Sequence, residues 1–83
     1  MFKVGQKVRI KTLSECINEH VSNFNEDEMN EFCGKLATIT GLSARKPGDF
    51  LLDISFDRQV NQGEGWHWNP NLLKPININL DIE

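Results

Sequence analysis

Residues 6–11, QKVRIK, alternate strictly, with Val8 and Ile10 on one face and Lys7, Arg9 and Lys11 on the other, the pattern of a half-buried strand. Phe2 and Val4 continue the inward series past a bend at Gly5, so the strand is expected to start near the N-terminus. The period then changes. Over 12–34, Leu13, Cys16, Ile17 and Val21 recur at helical spacing behind Thr12 or Ser14 as N-cap. A second short helix is marked by Asn25 as N-cap, Glu28 as its reciprocal capping partner and Gly34 as its stop, with Met29, Phe32 and Cys33 as apolar face. Helices this short persist only by packing that face onto the rest of the domain.

Alternation returns in KLATITGL, 35–42, where Ala37 and Ile39 oppose Leu36, Thr38 and Thr40. It returns again in FLLDISF, 50–56, which predicts Phe50, Leu52, Ile54 and Phe56 on one buried face with Asp53 and Ser55 in water. Arg45-Lys46-Pro47-Gly48-Asp49 carries the turn chemistry of a hairpin between them. A polar, glycine-containing loop, 57–65, leads into Trp66-His67-Trp68. Asn69-Pro70 then predicts one helical turn, short enough to be 3₁₀, before Leu73, Lys74 and Pro75. In the tail, ININLDIE, the alternation of Ile76, Ile78, Leu80 and Ile82 predicts an extra strand that pairs with a barrel edge or with another copy of the chain. The resulting fold class is mainly β: a partly open five-stranded barrel over 1–75, with the two-helix insertion 12–34 lying outside it between strands 1 and 2, and a strand-like tail over 76–83.

At 83 residues the chain forms one domain, and one of this size buries only about 60% of the surface its unfolded form exposes. That favours a surface groove over an enclosed catalytic cavity. The net charge of -3 opposes generic attraction to phosphate backbones, but the charge is segregated. Residues 1–11 carry Lys3, Lys7, Arg9 and Lys11 with no acid, whereas 12–34 carry Glu15, Glu19, Glu26, Asp27, Glu28 and Glu31 with no Lys or Arg. With no long apolar run and an alternating start, a soluble, cytoplasmic protein without membrane contact is expected. Cys16 and Cys33 are too few for a disulfide scaffold and are read as reduced, buried thiols.

VGQKVRI near the start, FCGKLATIT in the middle and GWHWNPNLLKP near the end together resemble a family of small, mostly uncharacterised proteins of phages and Gram-positive bacteria. Those proteins share an SH3-like barrel of the kind also seen in Mib/Herc2-type modules. The likeness covers roughly residues 2–75, with the insertion matching through Met29, Phe32, Cys33 and Gly34. It implies an SH3-like barrel, a mobile-element origin, a site in the host cytoplasm and a binding role without catalytic residues. A phage origin raises a host defence or signalling protein as the partner.

Several chemistries compete for the polar and aromatic residues. Trp66 and Trp68, two apart on a strand, share a face, and His67 points away from them. They either close the core against Leu73 and Phe56, the commoner outcome in a small domain, or line a groove for a peptide. Cys16 and His20, one helical turn apart, join Cys33 and His67 as a weak zinc set without a recognised spacing, so no metal or other cofactor is expected. Lys7, Arg9 and Lys11 form a stripe able to touch phosphates, although intramolecular pairing or solvation is the commoner fate of such a face. Neither histidine lies in a nucleophile signature, and no phosphate loop is present, so an enzyme is not expected. The preferred expectation is a protein-binding module docking a basic partner through Glu26, Asp27, Glu28, Glu31, Trp66 and Trp68. The alternatives are nucleic-acid binding through the cationic stripe, and capture of a small anionic ligand, such as a nucleotide signal, at an oligomer interface built by the tail.

Overall fold

The computed structural model describes residues 2–76, and the expected tail strand from residue 77 onward lies outside them. Four strands, β1 (Lys7–Ile10), β2 (Leu36–Leu42), β3 (Phe50–Leu52) and β4 (Leu73–Pro75), form one antiparallel sheet in the order β3-β2-β1-β4. The sheet is open. A fifth strand at 66–68 is reduced to a single bridge, Trp68 to Phe50, on the free edge of β3. Among the described residues no helix is long and apolar enough to cross a membrane.

Alternation is realised in β1 and β2. Val8, Ile10, Ala37 and Ile39 face the core and Lys7, Arg9, Leu36 and Thr40 face out. At the N-terminus it fails: residues 4–5 form a turn and Val4 is exposed, while Phe2 reaches the core edge through an edge-on contact with Phe50. Between β2 and β3, Pro47 and Gly48 (φ 93°) make the expected turn, and a register shift between Ile39 and Gly41 bends the ladder.

β3 is shorter than its sequence pattern. After Leu52 the chain turns into a 3₁₀ segment, Asp53–Ser55, and the Asp53 carboxylate takes the amide of Thr38 that a longer strand would have paired. Ser55 is buried there and accepts a 2.9 Å hydrogen bond from the indole N–H of Trp68, itself 0% exposed. Ile54 and Phe56 consequently point outward, at 37% and 63% exposure, opposite to expectation. Satisfying a buried N–H outweighs the local apolar pattern, because an orphaned donor costs about 1–3 kcal/mol.

The insertion is not an accessory outside the sheet. Helix α1 (Leu13–Asn18) is capped by Thr12 and Glu15 in a reciprocal box, and helix α2 (Glu26–Met29) by Asn25. Cys16 and Met29 are members of the central cluster, and Phe32, in the 3₁₀ turn that ends α2, meets Trp68 edge-on at 6.1 Å. The helical segment therefore roofs the concave face of the sheet. α1 ends at Asn18, short of Val21, with His20 beyond it in the left-handed region (φ 55°), and Ile17 is exposed.

From the Trp68 bridge on one sheet edge the chain reaches Leu73 on the other within five residues, through the Asn69-capped 3₁₀ turn Pro70–Leu72. Five residues span at most ~18 Å extended, less through a 3₁₀ turn, whereas four flat strand spacings take ~19 Å. The sheet must therefore curl.

Two predictions follow from this packing. A Cβ on Gly65 (φ 85°) would stand 2.5 Å from the Ser55 carbonyl oxygen and 2.9 Å from the Asp57 nitrogen, whereas one on Gly48 would meet nothing within 4 Å. Gly48→Ala should cost about 1 kcal/mol, for backbone strain alone, and Gly65→Ala about 3 kcal/mol or more in denaturant unfolding. Equal losses would contradict the close approach. The second concerns acid. Glu15 is held at about 2, below its usual 4.5, by the Lys74 ammonium at 2.9 Å and then by the Thr12 amide. Its stabilising contribution is complete above pH 4.5 and lost as pH falls toward 2, so Glu15→Gln should flatten the melting temperature profile across that window.

Candidate partner-binding site

Trp66 is half-buried at the rim of the core, while Trp68 lies beneath Phe32 at its centre. They share the inward side of the segment, as their spacing requires, but only Trp66 retains surface for a ligand. Beside it opens a pocket of about 560 Å³, with Phe24, Asn25, Glu26 and Asp27 on one wall and Asn61, Trp66 and His67 on the other. A second depression of about 350 Å³ shares Trp66 and Asp27 and is bordered by Glu28, Glu31 and Asp57. The structure thus gathers five of the six expected partner-binding residues around one indole. Trp68, the sixth, is removed by its burial.

Local chemistry sets the first wall. Asn25 Oδ1 accepts from the amides of Asp27 and Glu28, which starts α2 and places three carboxylates in a single first turn while Met29 turns into the core. Glu28 accepts from the Asn25 side chain, so the expected reciprocal contact is made to the amide group and not to the backbone N–H. Upstream, the Asn23 side-chain amide donates to the buried carboxylate of Asp49, pinning the 20–25 segment to the hairpin.

The second wall is a loop with an unusual backbone. Asn61, Gln62 and Gly63 all have positive φ, and Asn61 Nδ2 donates to the Gly65 carbonyl at 2.8 Å. Glu64 ties the loop to the hairpin: its carboxylate accepts from the Ala44 amide at 3.0 Å, from Ser43 Oγ at 3.0 Å and from His67 Nε2 at 2.7 Å. Those bonds, the Ala44 amide foremost, hold the carboxyl below its usual range.

Ser43, His67 and Glu64 have the residue types of a hydrolytic triad but not its geometry. Serine and acid meet the same ring nitrogen, Nε2, whereas a relay needs the acid on Nδ1. The Ser43 hydroxyl also accepts from the amides of Arg45 and Lys46. This is a turn brace.

The four weak zinc candidates are not brought together. Cys16 and Cys33 neighbour each other under the insertion, where burial pushes the Cys16 thiol up to about 12 and the Cys33 thiol upward as well, so both stay protonated. His20 is exposed and His67 serves Glu64. Among the described residues no group of three or more potential ligands is placed to hold a metal.

The cationic stripe is engaged within the chain. Arg9 donates to the Gly34 carbonyl at 2.9 Å, Lys11 pairs with Glu19 at 2.8 Å, and Lys7 reaches Thr38 Oγ1 at 3.4 Å. No aromatic side chain lines the depression beside Lys7. Asn23, Asn61, Glu64 and Asp57 are site residues that sequence reasoning missed. Asn23 and Glu64 act through partners in another segment, Asp49 and Ala44, and the one local signal is the run Asn61-Gln62-Gly63, whose composition tolerates left-handed backbone.

This arrangement predicts a charge-selective accessibility. Cesium should quench Trp66 fluorescence more strongly than iodide, because carboxylates surround it, and Trp68 should resist both. In Trp66→Phe the difference should vanish; a persisting difference would place the exposed indole elsewhere. No protein-family model matches the chain, and no curated protein or solved structure matches it.

Proposed function

We propose that the chain is a non-enzymatic, SH3-like binding module that docks a basic protein partner through Trp66 and the acidic rim of the insertion. The observation that carries this reading is the charge balance around the indole. Glu26, Asp27, Glu28, Glu31 and Asp57 border the two depressions that meet at Trp66. None of them takes part in an ion pair among the described residues, where Lys11 pairs with Glu19 and Lys74 with Glu15, and none meets the His67 ring, which is hydrogen-bonded to Glu64. An open aromatic patch ringed by uncompensated carboxylates attracts cationic surfaces and repels nucleic acid and small anions. The SH3-like assignment is supported by the curled sheet and by the 3₁₀ crossing from one edge to the other. The non-enzymatic assignment is supported by the misplaced acid in the Ser43–His67–Glu64 cluster. The resemblance to phage proteins makes a host defence or signalling protein the first partner to seek.

The test is affinity capture from host lysate followed by direct titration of the purified partner. Asp27→Lys with Glu31→Lys should weaken binding by at least about tenfold, ~1.4 kcal/mol, as should Trp66→Ala. Lys7→Glu with Arg9→Glu should leave it intact. Binding that survives the acid reversals and falls with the Lys7 and Arg9 changes would overturn the reading in favour of the cationic stripe.

A further inference from the structure

Hydrogen-bond accounting across the pocket narrows the partner's chemistry. Each asparagine lining it has one N–H of its amide committed: Asn23 to Asp49, Asn25 to Glu28 and Asn61 to the Gly65 carbonyl. Because those acceptors are carboxylates or a carbonyl, the orientation of each amide is fixed by chemistry. Asn25 Oδ1 is occupied by two backbone amides. The oxygens of Asn23 and Asn61 accept nothing among the described residues, and neither do the carboxylates of Glu26 and Asp27.

His67 adds an independent pointer. Its ring is nine-tenths buried and lines the pocket, and Nε2 carries the proton that meets Glu64. Nδ1 has no hydrogen-bond partner among the described residues, while no fully enclosed polar side-chain atom there is left unsatisfied, so Nδ1 is not sealed off from solvent. With Nε2 protonated, Nδ1 is an acceptor in the neutral ring. The pocket is thus rich in free acceptors and carboxylates beside an indole face.

We infer that this pocket receives an arginine side chain of the basic partner, its guanidinium against Trp66 and its N–H groups directed to Asn61, His67 Nδ1 and the Asp27 carboxylate. The inference rests on the basic-partner reading and specifies its anchor. Guanidinium offers five donors and no acceptor in a planar fork, and it stacks on an aromatic face. Lysine's ammonium is compact, more strongly hydrated and has three donors, so it satisfies fewer of these dispersed acceptors. A side chain of arginine's size also fits within about 560 Å³.

The test uses the full chain, ¹⁵N-labelled, titrated with blocked glycine pentapeptides carrying one central arginine, lysine or citrulline. The arginine peptide should shift the Trp66 indole N–H signal saturably with a dissociation constant on the order of millimolar. The lysine peptide should bind at least about threefold more weakly, and citrulline, which keeps shape but loses charge, at least about tenfold more weakly. Asp27→Asn should weaken the arginine peptide and leave the Trp68 indole signal, a reporter of the core, in place. A flat titration with the arginine peptide, or citrulline or lysine binding equally well, would overturn the inference. If the acid-reversed variants nonetheless lost the purified partner, the basic-partner reading would stand without its arginine anchor; if they kept the partner, both would fall.

Discussion

The fold depends on a short tether. The chain pairs with β3 at Trp68 and with β1 at Leu73, so two edges of one sheet are held within five residues of each other. A flat sheet cannot satisfy that length, and the curl it imposes creates a concave face that a chain of 83 residues has few large side chains to fill. Trp68 fills its centre, which brings an indole N–H into a dry interior where it needs an acceptor. Ser55 supplies it, and in doing so ends β3 and turns Ile54 and Phe56 outward. The close passage of Gly65 over Ser55 belongs to the same knot, since only a residue without Cβ fits against that backbone.

The acidic insertion performs two tasks from one short stretch. A four-residue helix has no stability of its own, and Met29, with zero exposure, anchors α2 to the core. The same anchoring fixes where the opposite face points, toward Trp66, and the Asn25 cap sets the carboxylates in the first turn, where they also complement the exposed amides of the helix start. The site is a consequence of packing. Had the insertion been a detached excursion, its charges would have had no defined relation to the indole.

Much of this was legible in the residue pattern. The alternation in Val8–Ile10 and Ala37–Ile39, the Asn25 and Asn69 caps, the Pro47-Gly48 turn and the stop at Gly34 are local signals whose physical causes act within a few residues. The inversion at Ile54–Phe56 was not legible, because its cause is the indole of a residue 13 positions away. The pocket was half legible. Composition announces the carboxylates and Trp66, but Glu64 and Asn23 act through Ala44 and Asp49, partners that spacing does not connect. Periodicity also overstated helix α1, since Val21 fits the spacing yet the chain leaves the helix after Asn18 and turns left-handed at His20.

On the proposed reading, selectivity comes from walls that are built before any ligand arrives. Asn23 on Asp49, Glu64 on Ala44 and Ser43, and Asn61 on Gly65 each fix a segment to its neighbour, and each consumes donors in doing so. The bonds that brace the pocket therefore also define its chemistry, leaving acceptors behind. Bracing lowers the ordering cost of association, which for a small patch decides whether contact area becomes affinity. The carboxylates of the acidic rim have no ion-pair partner among the described residues, so on the proposed reading an entering cation supplies the missing countercharge. On the basic-partner proposal binding and folding are linked: a partner that binds only the folded chain stabilises the domain in which that charge is gathered.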